Sequence, residues 1–189
     1  MPALTIPASL SRTPKIVKKV KPGGWTRLQI ERFVTKLADK LNYSGDGSNR
    51  LMLETELLVS RLGGRVTRRD LWDGEPGLAV NGVGSFTITI SPYLTAGRVP
   101  FAILFNIGLY ILHYVVPKRT GPFWFDREVV GQAATEASWF AQAAILPAKQ
   151  FVKVAKQNSH SVARIAAKTG LPQTLVDSRG RNLSVRLKP

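Results

Sequence analysis

One apolar run, residues 99–116, constrains the fold of this chain more than any other feature, because its eighteen positions are almost all apolar and must be hidden from water. The run is at the lower length limit for an α-helix that spans a bilayer. It contains Asn106 and His113, however, and polar side chains are costly in the hydrocarbon layer. We therefore expect a helix in the core of a folded domain, with a membrane span as the alternative. Since no apolar leader precedes it, we expect a cytoplasmic protein.

Periodic patterns before the run predict two helices and a small antiparallel sheet. Apolar residues recur at helical spacing in two segments, and three later segments have the composition of strands. An Asn-Gly-Val-Gly turn at 81–84 joins two of these strands as a hairpin. The helices are expected at 26–41 and 51–62, and the strands at 65–71, 78–80 and 85–90.

The chain after the run predicts further helices. Asp126 is a candidate N-cap for an alanine-rich helix that extends to about Leu146. A basic amphipathic stretch follows at 148–157. Two short helices joined by Thr169-Gly170-Leu171 then have the outline of a helix-turn-helix.

The net charge of +15 is concentrated at the two ends of the chain. Residues 1–24 hold five basic residues and no acid, and residues 148–189 hold nine basic residues and one acid. Residues 25–147 are nearly neutral, with thirteen basic and eleven acidic residues. Prolines and glycines in 1–24 indicate an extended arm without a core of its own. The division predicted is a basic arm (1–24), a core (25–147) and a basic helical tail (148–189).

Basic ends on a nearly neutral body are typical of proteins that bind polyanions, although a simply solvated arm and tail is the alternative. No convincing set of base-reading residues accompanies these charges, so nucleic-acid binding would be non-specific or led by shape. The candidate nucleic-acid contacts are Arg12, Lys15, Lys18, Lys19, Lys21, Lys168, Arg179, Arg181, Arg186 and Lys188.

The apolar run and the alanine-rich helix together form a two-part motif. Residues 101–113 read F-A-I-L-F-N-I-G-L-Y-I-L-H, and residues 136–147 read E-A-S-W-F-A-Q-A-A-I-L-P. This pair resembles the ImmA/IrrE family of zinc metallopeptidases, whose segments have the forms R-F-T-x-A-H-E-L-G-H-Y-L-L-H and E-A-N-x-F-A-A-x-L-L-M-P. The glycine, the tyrosine, the last histidine, and the Glu-Ala and Phe-Ala pairs coincide. The resemblance extends over 26–185 and implies an α+β, mostly helical zincin-like domain.

The residues that bind zinc in that family are replaced in this chain. An H-E-x-x-H helix holds zinc with two histidines at i and i+4, and its glutamate acts on the bound water. Phe105, Asn106 and Leu109 occupy those positions here. Phenylalanine and leucine offer no lone pair to a metal, and asparagine cannot serve as a general base. Glu136 matches the third ligand of the family, but Glu136 and His113 together still fall short of three protein ligands.

The replaced positions predict a filled core instead of a metal site. Four apolar residues lie three or four apart and would form one stripe through the former metal position: Phe101, Phe105, Leu109 and Leu112. We expect His113 to be hydrogen-bonded at the helix end, and Glu136 to be buried and bonded to Asn106 or His113. The chain also has no cysteine. We therefore expect no metal, no cofactor and no peptidase activity.

An aromatic cluster, Phe123, Trp124 and Phe125, falls in the predicted loop between the two motif helices. It is a candidate for binding a protein partner, or for covering the filled pocket.

These observations favour a catalytically inactive ImmA/IrrE-like protein that acts by binding. The resemblance implies a regulator, since active relatives relieve repression by cleaving transcriptional repressors, often those of phages and mobile elements. An inactive member would act through the same kind of protein partner, or through DNA. One alternative is a nucleic-acid-binding or phage structural or packaging protein that uses its basic ends. The other is an active metallopeptidase with unusual ligands.

Overall fold

A computed structural model describes residues 14–43, 51–72 and 75–188, and Arg12 with the start of the predicted arm lies outside these ranges. The described part of the chain is α+β and mostly helical, as the sequence predicted. Its elements in chain order are β1 (Ile16–Lys19), α1 (Arg27–Leu41), α2 (Leu51–Arg61), β2 (Gly64–Arg68), β3 (Pro76–Gly82), β4 (Ser85–Ile90), α3 (Val99–Tyr110), a π-helical segment (Ile111–Val115), β5 (Phe123–Val130), α4 (Gln132–Ile145), α5 (Ala148–Gln157), α6 (Val162–Thr169) and α7 (Gln173–Asn182).

Local sequence signals account for the helices and the hairpin that precede the apolar run. α1 begins with a capping box, in which the Thr26 hydroxyl accepts a hydrogen bond from the Gln29 N–H and the Gln29 side chain accepts one from the Thr26 N–H at 2.8 Å. β3 and β4 pair antiparallel around the predicted turn, where Gly84 has a φ of 74°. The alternation in β4 is also confirmed, since the side chains that face the core are Phe86, Ile88 and Ile90.

The sheet is larger than the antiparallel sheet predicted from the sequence, and it is mixed. Its strand order is β1-β5-β3-β4-β2. β3 pairs antiparallel with β4 and β5, whereas the outer strands β1 and β2 pair parallel with β5 and β4. Parallel partners require long crossover connections instead of tight turns. Turn signals therefore identify the central hairpin but not the outer pairs.

The strand β5 corrects a second expectation, because the sequence predicted that a helix starts at Asp126. The Asp126 carboxylate accepts a hydrogen bond from the Glu128 N–H at 2.7 Å, so it caps a local turn within the strand and not a helix. The aromatic and β-branched residues of 123–130 favour a strand. α4 begins only after Gly131, which has a φ of 82°.

The apolar run forms the buried helix α3 and continues as the π-helical segment, which confirms the core-helix prediction. α3 contacts β3, β4 and α4. At Gly108 an added Cβ would lie 3.1 Å from both the Ala137 carbonyl oxygen and the Phe140 Cβ, so glycine allows α3 and α4 to approach closely. No helix within the described ranges is long and apolar enough to cross a membrane.

The tail helices α5, α6 and α7 follow at the predicted positions. Ser161 caps the start of α6, and Gly170 ends it with a φ of 69°. α6 and α7 have the predicted helix-turn-helix outline. α7 is nevertheless bound to the body of the protein, because its Ser178 and Asn182 side chains form hydrogen bonds with Gln142 of α4.

The described part of the predicted arm lies against the body. β1 extends the sheet, with Ile16 opposite Trp124 of β5. Residues 20–25, which we call the strap, connect β1 to α1, and Val20 at the start of the strap is buried. The segment is extended, as predicted. It is not a free arm, however, because it forms an edge strand and a connection that packs against the body.

Candidate functional site

The positions that correspond to the zinc motif divide between a groove and the core. Phe105 and Asn106 are half-buried and line a groove of about 490 Å³, whereas Leu109 is completely buried. The side-chain amide of Asn106 donates to the Ala102 carbonyl oxygen at 2.9 Å, within the same helix. Asn106 is therefore not the partner of Glu136, which was one of the two expectations.

The predicted apolar stripe is present along α3 and the π-helical segment. Leu109 and Leu112 lie in the core without measurable exposure. Phe101 and Phe105 form its half-buried end in the groove, with ring centroids 6.4 Å apart. The former metal face is thus hydrophobic core at one end and the wall of an apolar groove at the other.

Glu136 is held by two residues of the strap, Gly23 and Trp25. Its carboxylate is completely buried, and it accepts hydrogen bonds from the Gly23 N–H at 2.9 Å and from the Trp25 N–H at 3.1 Å. Gly23 suits this contact, because an added Cβ would lie 2.4 Å from the Trp25 ring and 3.3 Å from a Glu136 oxygen. Each carboxylate oxygen therefore has a backbone donor already.

His113 lies in the π-helical segment beside Glu136, with its Nε2 3.5 Å from a Glu136 oxygen. Burial lowers the pKa of His113, and the nearby charge of Arg119 adds to this effect. The Glu136 carboxylate and the Ala133 carbonyl act in the opposite direction and raise it. The polar neighbours of the buried ring are the Glu136 carboxylate and the Ala133 carbonyl, although neither contact reaches ordinary hydrogen-bond geometry among the described residues. Glu136 therefore lies beside His113, the other partner that was expected for it, at a distance longer than an ordinary hydrogen bond.

These residues do not fit a catalytic zinc ion. Two of the three ligand positions carry hydrocarbon side chains, and the third, Glu136, already accepts two backbone hydrogen bonds. Across 14–43, 51–72 and 75–188, no three His, Cys, Asp or Glu side chains gather closely enough to hold a metal ion.

Comparison with known proteins identifies the family. The family profile described as the IrrE N-terminal-like domain, of peptidase family M78, matches residues 58–179. The chain belongs to this family. The matched residues include both halves of the motif, from the helix α3 to Glu136, so the ImmA/IrrE resemblance is confirmed.

Other comparisons add little to the family assignment. A Mycobacterium tuberculosis transcriptional regulator of known structure is similar at 17% sequence identity, over 79% of this chain and 50% of that chain, with a TM-score of 0.46. The present chain thus corresponds to half the length of that regulator. No functionally curated protein matches this IrrE-like chain.

The structure places most of the predicted nucleic-acid contacts on the surface of this IrrE-like fold. Lys18 forms an ion pair with Glu128 at 3.2 Å, and Arg181 forms one with Asp177 at 2.7 Å. The remaining exposed members are Lys15, Lys19, Lys21, Lys168, Arg186 and Lys188. These residues stay candidates, whereas Arg12 lies outside the described ranges.

Arg179 is the exception, and its assignment as a nucleic-acid contact is corrected. Its side chain is only 2% exposed. Its guanidinium forms a two-point ion pair with Glu31 of α1, and its Nε donates to the Leu146 carbonyl oxygen at 2.9 Å. Arg179 therefore fastens α7 to α1 and to the end of α4, and its donors are not available to a phosphate.

The aromatic cluster is part of β5 and not of a loop. Phe125 belongs to the core and cannot contact a partner. Phe123 and Trp124 are half-buried, and the Phe123 ring lies 4.8 Å from the Phe125 ring and 4.6 Å from the Arg119 guanidinium carbon. Only Phe123 and Trp124 therefore remain candidates for a protein contact.

Two features of the site were missed by sequence reasoning. The strap reaches Glu136 from more than a hundred residues away, and its glycines indicated only an extended arm. The π-helical segment has no local signature that separates it from the helix before it.

Proposed function

We propose that this chain is a catalytically inactive member of the ImmA/IrrE family that acts by binding in the cytoplasm, as a regulator of transcription or of a phage or mobile element, through a protein partner or DNA. The observation that carries the proposal is the replacement of two zinc ligands and the catalytic glutamate by Phe105, Leu109 and Asn106.

The chemistry of the family explains why this replacement matters. A catalytic zinc ion needs three protein ligands and an open position, at which a bound water becomes the nucleophile. Leu109 is completely buried, so its position gives neither a ligand nor access to water. A metal ion at Glu136 would also have to displace the N–H groups of Gly23 and Trp25.

A protein partner is the first candidate for what the fold binds. Phe123 and Trp124 retain part of their aromatic surface, and aromatic residues are frequent anchors in interfaces. A pull-down that compares the wild type with Trp124→Ala tests this surface, and unchanged recovery of the partner would exclude it.

Metal analysis tests the inactive assignment directly. We expect the purified chain, incubated with excess zinc and then desalted, to retain far less than one zinc per chain, and Glu136→Gln to leave that amount unchanged. Elemental analysis gives the stoichiometry, and Glu128→Gln, which changes an exposed carboxylate of β5, is the matched control. Stoichiometric zinc that is lost only in Glu136→Gln would overturn the proposal and favour a metallopeptidase with unusual ligands.

Nucleic-acid binding is the second candidate, favoured by the charge of α5 and α6. Residues 148–176 contain five cations and no acid, and all five are exposed: Lys149, Lys153, Lys156, Arg164 and Lys168. Lysines at 149, 153 and 156 are three or four apart, so they share one face of α5. Such a face can follow a phosphate backbone without reading its sequence. The same property would serve a phage structural or packaging protein.

Salt-dependent gel shifts test the second candidate. Replacing Lys149, Lys153 and Lys156 with glutamine is expected to reduce the slope of log affinity against log salt by about three, since each lost phosphate contact removes roughly one unit. Lys36→Gln/Lys40→Gln on α1 is the matched control. An unchanged slope in the α5 variant contradicts the assignment. Charge substitution is preferable to deletion of residues 1–24, because deletion would remove β1 and the strap.

A further inference from the structure

A second cavity, of about 340 Å³, lies between the strap and the π-helical segment. We propose that it binds a small organic acid, whose carboxylate lies between Arg119 and Lys21 and whose apolar body packs against Trp25 and Leu112. This cavity is separate from the groove at Phe105, and the inference does not depend on whether the protein regulates transcription.

Arg119 is pre-organised to recognise a carboxylate. Its backbone N–H donates to the Tyr114 carbonyl oxygen at 3.0 Å, and its Nε donates to the His113 carbonyl oxygen at 2.8 Å. The guanidinium carbon lies 4.6 Å from the centre of the Phe123 ring, a cation–π contact that adds a third restraint on the side chain. Its two terminal nitrogens have no partner within the described part of the chain, so they can form two parallel hydrogen bonds to a carboxylate.

The π-helical segment shapes this cavity. Leu112 and His113 both line it, and both belong to the wider turn that follows α3. π-Helical turns are rare and often occur at functional sites. His113 is almost fully buried there and its Nε2 faces Glu136 at 3.5 Å, so it forms part of the cavity wall and is not the group that binds the anion.

The other lining residues define the class of ligand. Lys21 adds a second positive charge at an exposed position, and no carboxylate lines the cavity within the described ranges. Glu136 lies behind His113 and is held by backbone donors. The walls between the cations are apolar or aromatic, with Trp25 and Leu112 the largest groups. Few polar groups in a mostly apolar cavity of this size suit a compact ligand with one anionic end.

Titration of the full chain with three anions at constant ionic strength tests the proposal. The probes are benzoate, acetate and inorganic phosphate, followed by calorimetry and by the indole N–H resonance of Trp25. Benzoate is expected to saturate and to shift that resonance, whereas acetate and phosphate should bind at least about tenfold more weakly, because they lack the apolar body. Phosphate binding as strong as benzoate binding would overturn the organic-acid assignment, and so would the absence of saturation by benzoate.

Variants locate the site. Arg119→Gln is expected to lower benzoate affinity by about tenfold or more, the usual loss for a charge-assisted pair. Arg119→Lys keeps the charge but loses the two-point geometry, so it should lie between Arg119→Gln and the wild type. Lys21→Met changes an exposed residue and should weaken binding about threefold, and Lys168→Met on α6 serves as the control. The proposed site would be overturned if the wild type, Arg119→Lys and Lys21→Met bound benzoate with equal affinity. This test still applies if Arg119→Gln does not fold.

Discussion

Replacing Glu136 with leucine is expected to lower the free energy of unfolding by about 2–4 kcal/mol, because it leaves two backbone N–H groups without an acceptor. The groups are those of Gly23 and Trp25, which now donate to the two carboxylate oxygens. Leucine fills a similar volume, so loss of packing contributes little. Glu136→Gln keeps one carbonyl oxygen as an acceptor and should cost about half as much.

Two measurements check this prediction. Urea denaturation gives the free energy of unfolding, and amide hydrogen exchange reports on Gly23 and Trp25 individually. Glu128→Gln is the control, since that exposed carboxylate only pairs with Lys18 and its loss should cost less than about 1 kcal/mol. A Glu136→Leu variant that is as stable as the wild type, with both amides still protected, would show that the strap is held by other contacts.

Replacing Arg179 with alanine should be at least as damaging, with an expected loss of about 3 kcal/mol or more. Removing one member of a buried ion pair leaves the other without compensation, and here it also removes the donor to the Leu146 carbonyl oxygen. Arg181→Ala is a matched control two residues away. Arg181 is exposed and pairs only with Asp177, so its loss should cost less than about 1 kcal/mol.

A double-mutant cycle identifies the source of the loss. Arg179→Ala, Glu31→Gln and the double variant should show a coupling energy of about 1–3 kcal/mol by denaturation, as contacting charged residues usually do. Gel shifts with the same variants separate stability from binding. An Arg179→Ala variant that folds as stably as the wild type and weakens only nucleic-acid affinity would show that Arg179 is a surface contact and not part of a buried ion pair.

The parts of the fold that were predictable are those with local signals. The capping residues at Thr26 and Ser161, the hairpin at 81–84 and the apolar run each show their structure within a few neighbouring residues. The family motif likewise depends on two short segments, and its altered positions at Phe105 and Leu109 are visible without a structure. These signals identified the family correctly.

What could not be predicted depends on contacts between distant segments. A basic side chain is usually exposed, so the sequence predicts that Arg179 lies on the surface. Arg179 is buried because it pairs with Glu31, which is distant in the sequence. β1 is four residues long, and its partner strand carries an aspartate that mimics a helix cap, so neither strand could be recognised alone. Long-range pairing of this kind has no periodic pattern in the sequence.

The two contacts that join the N-terminal segment to the rest of the fold can form only late in synthesis. Gly23 meets a carboxylate 113 residues later, and Glu31 meets a guanidinium 148 residues later. At a translation rate of roughly 5–20 residues per second, the N-terminal segment waits for several seconds or longer before either partner exists. During that interval β1 has no strand beside it, and the aromatic ring of Trp25 and the apolar face of α1 lack their final neighbours. A ribosome-bound chain that ends before Glu136 should therefore present this segment to chaperones, whereas the released protein conceals it.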